Sequence, residues 1–496
     1  HGLSMVTLCH MRRYVHCLAD LLAEVDGSFD MSSEVAAWLT DTAAALGKLC
    51  DRLGSGPVDP ALRYESLSEL GQAAGRYRKA VYEQDGFSGQ AKVGIDEINR
   101  LLEQALAAID HSIVNNRRED GLYHSYNLLD LRETGVKVET LYPMLEGQVA
   151  ALSSGVVEPG EAAHLLEALY SSPLYRPDQD SFLLYPDRAL PRFLDKNRIP
   201  PDRVAALPVL ESMLARDDER IILRDAEGCY RFSSEFRNAR DLDAEIDRLL
   251  GDYGDALDAA RPQLHELFET VFHHRAFTGR SGTMFAFEGL GSIYWHMVAK
   301  LLLAAQESYF AALDAGADAA TCRRLGQLYY RIRGGIGFNK SPAEYGAFPT
   351  DPYSHTPRHA GAQQPGMTGQ VKEEILTRFG ELGVRVSGGI AQFQPALLRA
   401  QEFRKEPGTF RHLDVDGTWQ ELELPADALA FTWCQVPIIY RLHGEPESVL
   451  SVTYDDGSTS RPRSNSLSRE DSADLFGRSG RIRCIELRLA SHELFA

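Results

Sequence analysis

Hydrophobic spacing changes its period once along this chain, and that change limits the fold more than any other feature. Over residues 10–110 apolar side chains recur at helical intervals. Val15, Leu18, Leu21 and Leu22 form one stripe, Val35, Trp38, Leu39 and Ala43 a second, and Ile98, Leu101, Leu102, Ala105 and Ile109 a third. Helices are expected again at 142–153, 161–170, 241–250, 262–274, 293–315 and 318–332. From Val384 the period falls to two. β-type runs at Thr418–Leu424, Ala430–Tyr440, Leu450–Tyr454 and Ile482–Leu489 are separated by turns such as Asp416-Gly417 and Asp456-Gly457. The expectation is a mainly-α fold: an α/α toroid, (α/α)6-barrel-like, over 1–384, followed by a jelly-roll-like β-sandwich over 385–496. Residues 171–235, rich in proline and mixed charge, read as an insertion with a small hairpin at Ile221–Phe232. A helical repeat array is the alternative, disfavoured because no fixed period of roughly 30–45 residues shows itself.

Composition removes several functions. The net charge of −19 argues against gripping a nucleic-acid backbone. A small anion stays compatible, because salt screens the global field over about 8 Å. The seven cysteines are scattered and no pair has CxxC spacing, so reduced thiols are expected, with neither a disulfide framework nor a zinc site. No apolar run is long enough to span a membrane. The first residues lack a signal-peptide pattern and read as the inside of a helix. A cytoplasmic protein is expected, and the start on His1 suggests a piece of a longer chain.

Three polar islands could carry chemistry. The first runs from Asp120 to Asp130, with Asp130 as a plausible acid and Tyr123, His124, Tyr126 and Asn127 as sugar contacts; a loop with a helix-capping aspartate reads as well. The second holds His273, His274, Arg275, Arg280 and the segment Glu288–His296, in which Trp295 could stack on a sugar, although a tryptophan at this spacing also suits a core. The third, Phe338–Leu398, opens with about thirty residues carrying five prolines and two histidines, unusually long for a structureless connection. Its donors, His355, Arg358, His359, Gln363, Gln364 and Thr368, suit an oxyanion or a sugar; a purely structural Pro/Gly-rich connector would share the composition.

Taken together, the islands resemble glycoside hydrolase family 94, the inverting phosphorylases of the cellobiose phosphorylase group. Asp120-Gly121-Leu122 matches the start of the family loop DGLPLxGxGDWND, and Asp130 falls near its final aspartate, the general acid, although DWND itself is absent. The segment from Glu288 to His296 is similar to ENGGIFNH, with its histidine one residue further from the glutamate. Pro352-Tyr353, Ala360-Gly361 and Thr368-Gly369 echo PYVxxQxxAG and TGTAAW, while Pro357 replaces the family glutamine. The echoes cover residues 95–400 in the family order, and the 171–235 insertion looks more like the 1,2-β-oligoglucan phosphorylase branch. The family's N-terminal β-sandwich and GFRDxxQD motif have no counterpart in the sequence.

The resemblance implies inverting phosphorolysis of β-glucosidic bonds in oligoglucans, β-1,2-linked in that branch, giving α-glucose 1-phosphate. Such a reaction needs one acid for the leaving oxygen while phosphate attacks the opposite face; an inverting hydrolase needs a second carboxylate to activate water. The implied roles are Asp130 as acid, with Glu146 as its rival; His296, Thr368, Gly369, His355, His359 and Gln364 around phosphate; and Tyr123, His124, Tyr126, Asn127, Trp295 and Arg280 on the sugar. No cofactor or metal is expected, phosphate being a co-substrate. The expected partners are oligosaccharide, phosphate and upstream sequence, and a homodimer stays open. Hydrolysis, with Glu288, Glu373 and Glu374 as spare carboxylates, and a carbohydrate-binding piece inactive without upstream sequence are the alternatives.

Overall fold

The structure is a computed structural model. It describes residues 2–83, 85–132, 135–186, 195–272, 293, 295–336, 368–444 and 447–495. The chain forms two compact units, one comprising 1–186 with 291–496, the other 187–290. About half of the chain is helical, with several small sheets. No sheet among the described residues closes into a barrel.

In the first unit the helices are α1 (Met5–Leu22), α2 (Ser33–Cys50), α3 (Pro60–Glu83), α4 (Ile95–Val114), α5 (Leu145–Ser153) and α6 (Pro159–Tyr170). Strand β1 (Gly2–Ser4) pairs with β4 (Tyr126–Arg132), which pairs with β5 (Gly135–Thr140); β2 (Ser28–Ser32) pairs with β3 (Gln90–Gly94). Short strands β6 (Tyr175–Arg176) and β7 (Ser181–Phe182) form a hairpin. α1 packs on α4 and α5, and α2 on α3 and α4. The stripes expected on these helices are buried only in part. Val15, Ile98, Leu102 and Ile109 are core, whereas Leu21 and Trp38 face solvent, Trp38 stacking on Tyr77 instead.

The second unit holds α7 (Pro201–Ala205), α8 (Pro208–Leu214), the hairpin β8 (Ile222–Arg224) and β9 (Tyr230–Phe232), and α9 (Ala239–Phe272). Gly228 takes φ +83° at the hairpin turn, where glycine pays no steric penalty. α9 doubles back at Gly254, whose φ of 57° and ψ of −147° are not helical. Arg261 therefore reaches both Asp243 and Asp247, which a straight helix would hold tens of ångströms away. A single apolar core joins these elements, with Leu210, Met213, Ile221, Ile222, Leu257 and Leu264 fully buried. Within and beyond the 171–235 stretch, β6 and β7 belong to the first unit, and α9 belongs to the second.

The first unit continues with α10 (Trp295–Asp314), α11 (Ala319–Gly334) and α12 (Thr368–Glu381). α10 packs on α5, α6, α11 and α12. Hairpins β10 (Val384–Ser387) with β11 (Ile390–Phe393), and β12 (Gly408–Leu413) with β13 (Trp419–Leu424), follow. Then β14 (Ala428–Trp433), β15 (Val436–His443), β16 (Val449–Tyr454), β17 (Thr459–Ser460) and β18 (Ile482–Ala490) build one five-stranded sheet, order β14-β15-β18-β16-β17. Its β15–β18 pair is parallel and the rest antiparallel, with α13 (Arg469–Gly477) packed on β18 and β11. The run Ala430–Tyr440 is split by a turn at Cys434 and Gln435, both at positive φ.

Candidate active site

The first island is a turn that leads into a strand rather than a loop before a helix. The chain tightens at Asp120, whose carboxylate is clasped by Arg118, and then enters β4 as the middle strand of its sheet. Asp130 faces Lys137 in the β4–β5 register and bonds Arg132 Nε at 2.6 Å. Its side chain is 33% exposed, and neighbouring Leu131 faces solvent. A desolvated apolar setting is therefore not formed around it.

Glu146 is the more buried carboxyl. It is the second residue of α5 and only 9% exposed. Its Oε2 accepts a hydrogen bond from the Tyr126 hydroxyl at 2.8 Å. Two backbone links then bring the start of α5 to the start of α10. Leu145 N–H donates to the Leu184 carbonyl at 2.9 Å, and the adjacent Leu183 forms an antiparallel bridge with Ile293. Two residues beyond Ile293, α10 begins at Trp295, so His296 is its second residue as Glu146 is of α5. Tyr142 and Tyr185 meet edge to face beside this junction, at 6.2 Å between centroids.

Two packed helices whose starts are linked in this way bring two helix N-termini together, an arrangement that favours an anion. Charged side chains gather at the same place. His10 on α1 lies within electrostatic reach of Arg13, of Glu146, and of Lys300 and Glu307 on α10, Lys300 being one turn beyond His296. Arg13 reaches both Glu307 oxygens at 3.2 Å and so ties α1 to α10. Lost hydration and the Arg13 and Lys300 cations hold His10 below the ordinary histidine value, while Glu146 and Glu307 pull the other way.

The remaining expected residues fall into three groups. Tyr123, Asn127 and Trp295 are core side chains. Tyr123 and Trp295 are each 3% exposed; the Tyr123 hydroxyl donates to Glu161 at 2.7 Å, and Asn127 donates to Asn116 Oδ1 at 2.9 Å. His124 is half-buried near Arg118 and the Leu141 carbonyl, and lost hydration, then Arg118, lowers its pKa. Arg280, His355, His359 and Gln364 lie outside the described residues. Thr368 and Gly369 open α12.

Sequence reasoning missed His10, because the first twenty-five residues showed only helix periodicity. It also missed a buried cluster on α11 and α12. Glu381, 1% exposed, accepts from the Tyr329 hydroxyl at 2.6 Å and pairs with Arg333 at 2.8 Å and Arg378 at 2.7 Å. Spacing along either helix alone carries no sign of that convergence. Among the described residues no group of side chains could hold a metal ion, and no helix is long and apolar enough to cross a membrane.

Residues 190–275 match the family model of the GH149 phosphorylase insertion domain 2, a stretch within the second compact unit. The match points to a glycoside phosphorylase. It supports a glycoside phosphorylase family without reaching family 94 or the 1,2-β-oligoglucan branch. No curated protein matches the chain.

Proposed function

We propose that this chain carries the acid and phosphate side of an inverting glycoside phosphorylase that cleaves β-glucosidic bonds in oligoglucans and releases α-glucose 1-phosphate. The observation that carries the reading is the junction of α5 and α10, where Glu146 and His296 each occupy the second helical position and Leu183–Leu184 links both helix starts. The insertion-domain match at 190–275 supports the same class independently.

In this reading Glu146, rather than Asp130, protonates the leaving oxygen. A general acid needs a carboxyl partly removed from water. Glu146 is buried on a tyrosine hydroxyl, whereas Asp130 is paired with Arg132 near the surface. Phosphate binds at the adjoining helix starts with His296, joined by Thr368, Gly369, His355, His359 and Gln364. His124 and Arg280 remain on the sugar side. The α/α toroid with a C-terminal β-sandwich is the architecture proposed for the whole, and β-1,2 linkage is proposed on the resemblance of the three islands.

Oligoglucans of β-1,2, β-1,3 and β-1,4 linkage, incubated with the protein with and without phosphate, test the reading. Sugar 1-phosphate released only with phosphate, and fastest from the β-1,2 series, supports it. Free sugar released at the same rate without phosphate makes the protein a hydrolase. Binding without turnover makes it a carbohydrate-binding module.

A further inference from the structure

Tyr126 is half-buried on β4, and two features fix where its hydroxyl can go. β1 pairs with β4 in the register Ser4 to Tyr126, and Met5 N–H donates to the Ser125 carbonyl at 3.0 Å, so the strand is held from the α1 side. On the other side α5 approaches the strand backbone unusually closely. A Cβ added at Gly147 would lie 2.9 Å from both Cα and Cβ of Ser125, closer than ordinary packing allows. Glycine directly after Glu146 therefore lets α5 press against Ser125 and brings the carboxyl within 2.8 Å of the next side chain, Tyr126.

We propose that Tyr126 is a positioning residue for the acid rather than a sugar contact, and this rests on the reading of Glu146 as that acid. Its O–H donates to Oε2 and so holds the carboxyl in one orientation. The carboxyl proton passes to the leaving glycosidic oxygen as the bond to the anomeric carbon breaks and phosphate oxygen bonds that carbon. Glu146 ends as a carboxylate whose Oε2 keeps the tyrosine hydrogen bond. Among the described residues His10 on α1 lies within electrostatic reach of Glu146, and also of Arg13, Lys300 and Glu307.

The test is a cycle of Tyr126→Phe, Glu146→Gln and the double variant, read in phosphorolysis and in denaturant unfolding. Tyr126→Phe should lower kcat by roughly tenfold, as expected for a misplaced acid, with KM for the oligosaccharide unchanged within about twofold. In the Glu146→Gln background it should cost nothing more. The unfolding midpoints should be non-additive in the same way. A raised KM at unchanged kcat, or additive losses in both readouts, would overturn the proposal. If the wild-type protein shows no phosphate-dependent turnover, the functional reading fails, while the unfolding cycle still decides whether the two side chains act as a unit.

Discussion

Gly147 and Ser125 meet backbone to side chain with no room for a methyl group between them, and this contact sets how near α5 comes to β4. Gly147→Ala would ordinarily help a helix by about 1 kcal/mol. Here the clash with Ser125 Cα cannot be relieved by a flexible side chain, so the sign reverses. The variant should lose roughly 1–3 kcal/mol in denaturant unfolding, the range for overpacking a core. Unchanged or raised stability would show that the two elements separate freely.

His10 gives a pH dependence with a definite sign. Its folded-state pKa is lowered, so the folded protein resists the proton that the unfolded chain accepts near 6.5. Stability is therefore unaffected well above pH 6.5 and declines as pH falls below it toward the lower folded value. His10→Gln removes that part of the decline. Unfolding midpoints at pH 7.5 and 5.5 should differ less in the variant than in the wild type. An equal or larger difference would contradict the assignment.

Glu381 anchors the C-terminal end of α12, the helix that Thr368 opens, to Tyr329 and Arg333 on α11. Glu381→Ala removes the carboxylate from between Arg333 and Arg378 and leaves the Tyr329 hydroxyl without that acceptor. Both arginines retain some contact with water, so the loss should fall near the low end for a broken buried pair, about 3 kcal/mol. Denaturant titration measures it, and a loss below about 1 kcal/mol would mean that the cluster contributes little.

Much of the scaffold was legible in the sequence because it follows from local periodicity. α10 and α11 occupy 295–314 and 319–334, close to the expected 293–315 and 318–332, and the Glu227-Gly228 turn forms the expected hairpin. The site was harder to read, since it depends on contacts between distant segments. Nothing near Glu146 in sequence announces Tyr126, Leu184 or His10, which β4 pairing, a loop carbonyl and α1 packing bring to it. Asp130 falls near the family's acid in sequence, but it lies in a strand, where alternate residues point to opposite faces and its neighbour Leu131 faces water.

The central claim is that Glu146 supplies the proton, and one comparison tests it most directly: phosphate-dependent release of sugar 1-phosphate by Glu146→Gln and Asp130→Asn, with folding of each checked by circular dichroism. Both swaps are nearly isosteric. Glu146→Gln should lower turnover by at least roughly a hundredfold, the scale of general-acid catalysis, while Asp130→Asn stays within a few-fold of wild type. Near-wild-type turnover by Glu146→Gln, with the loss falling on Asp130→Asn, would contradict the account and move the acid to β4.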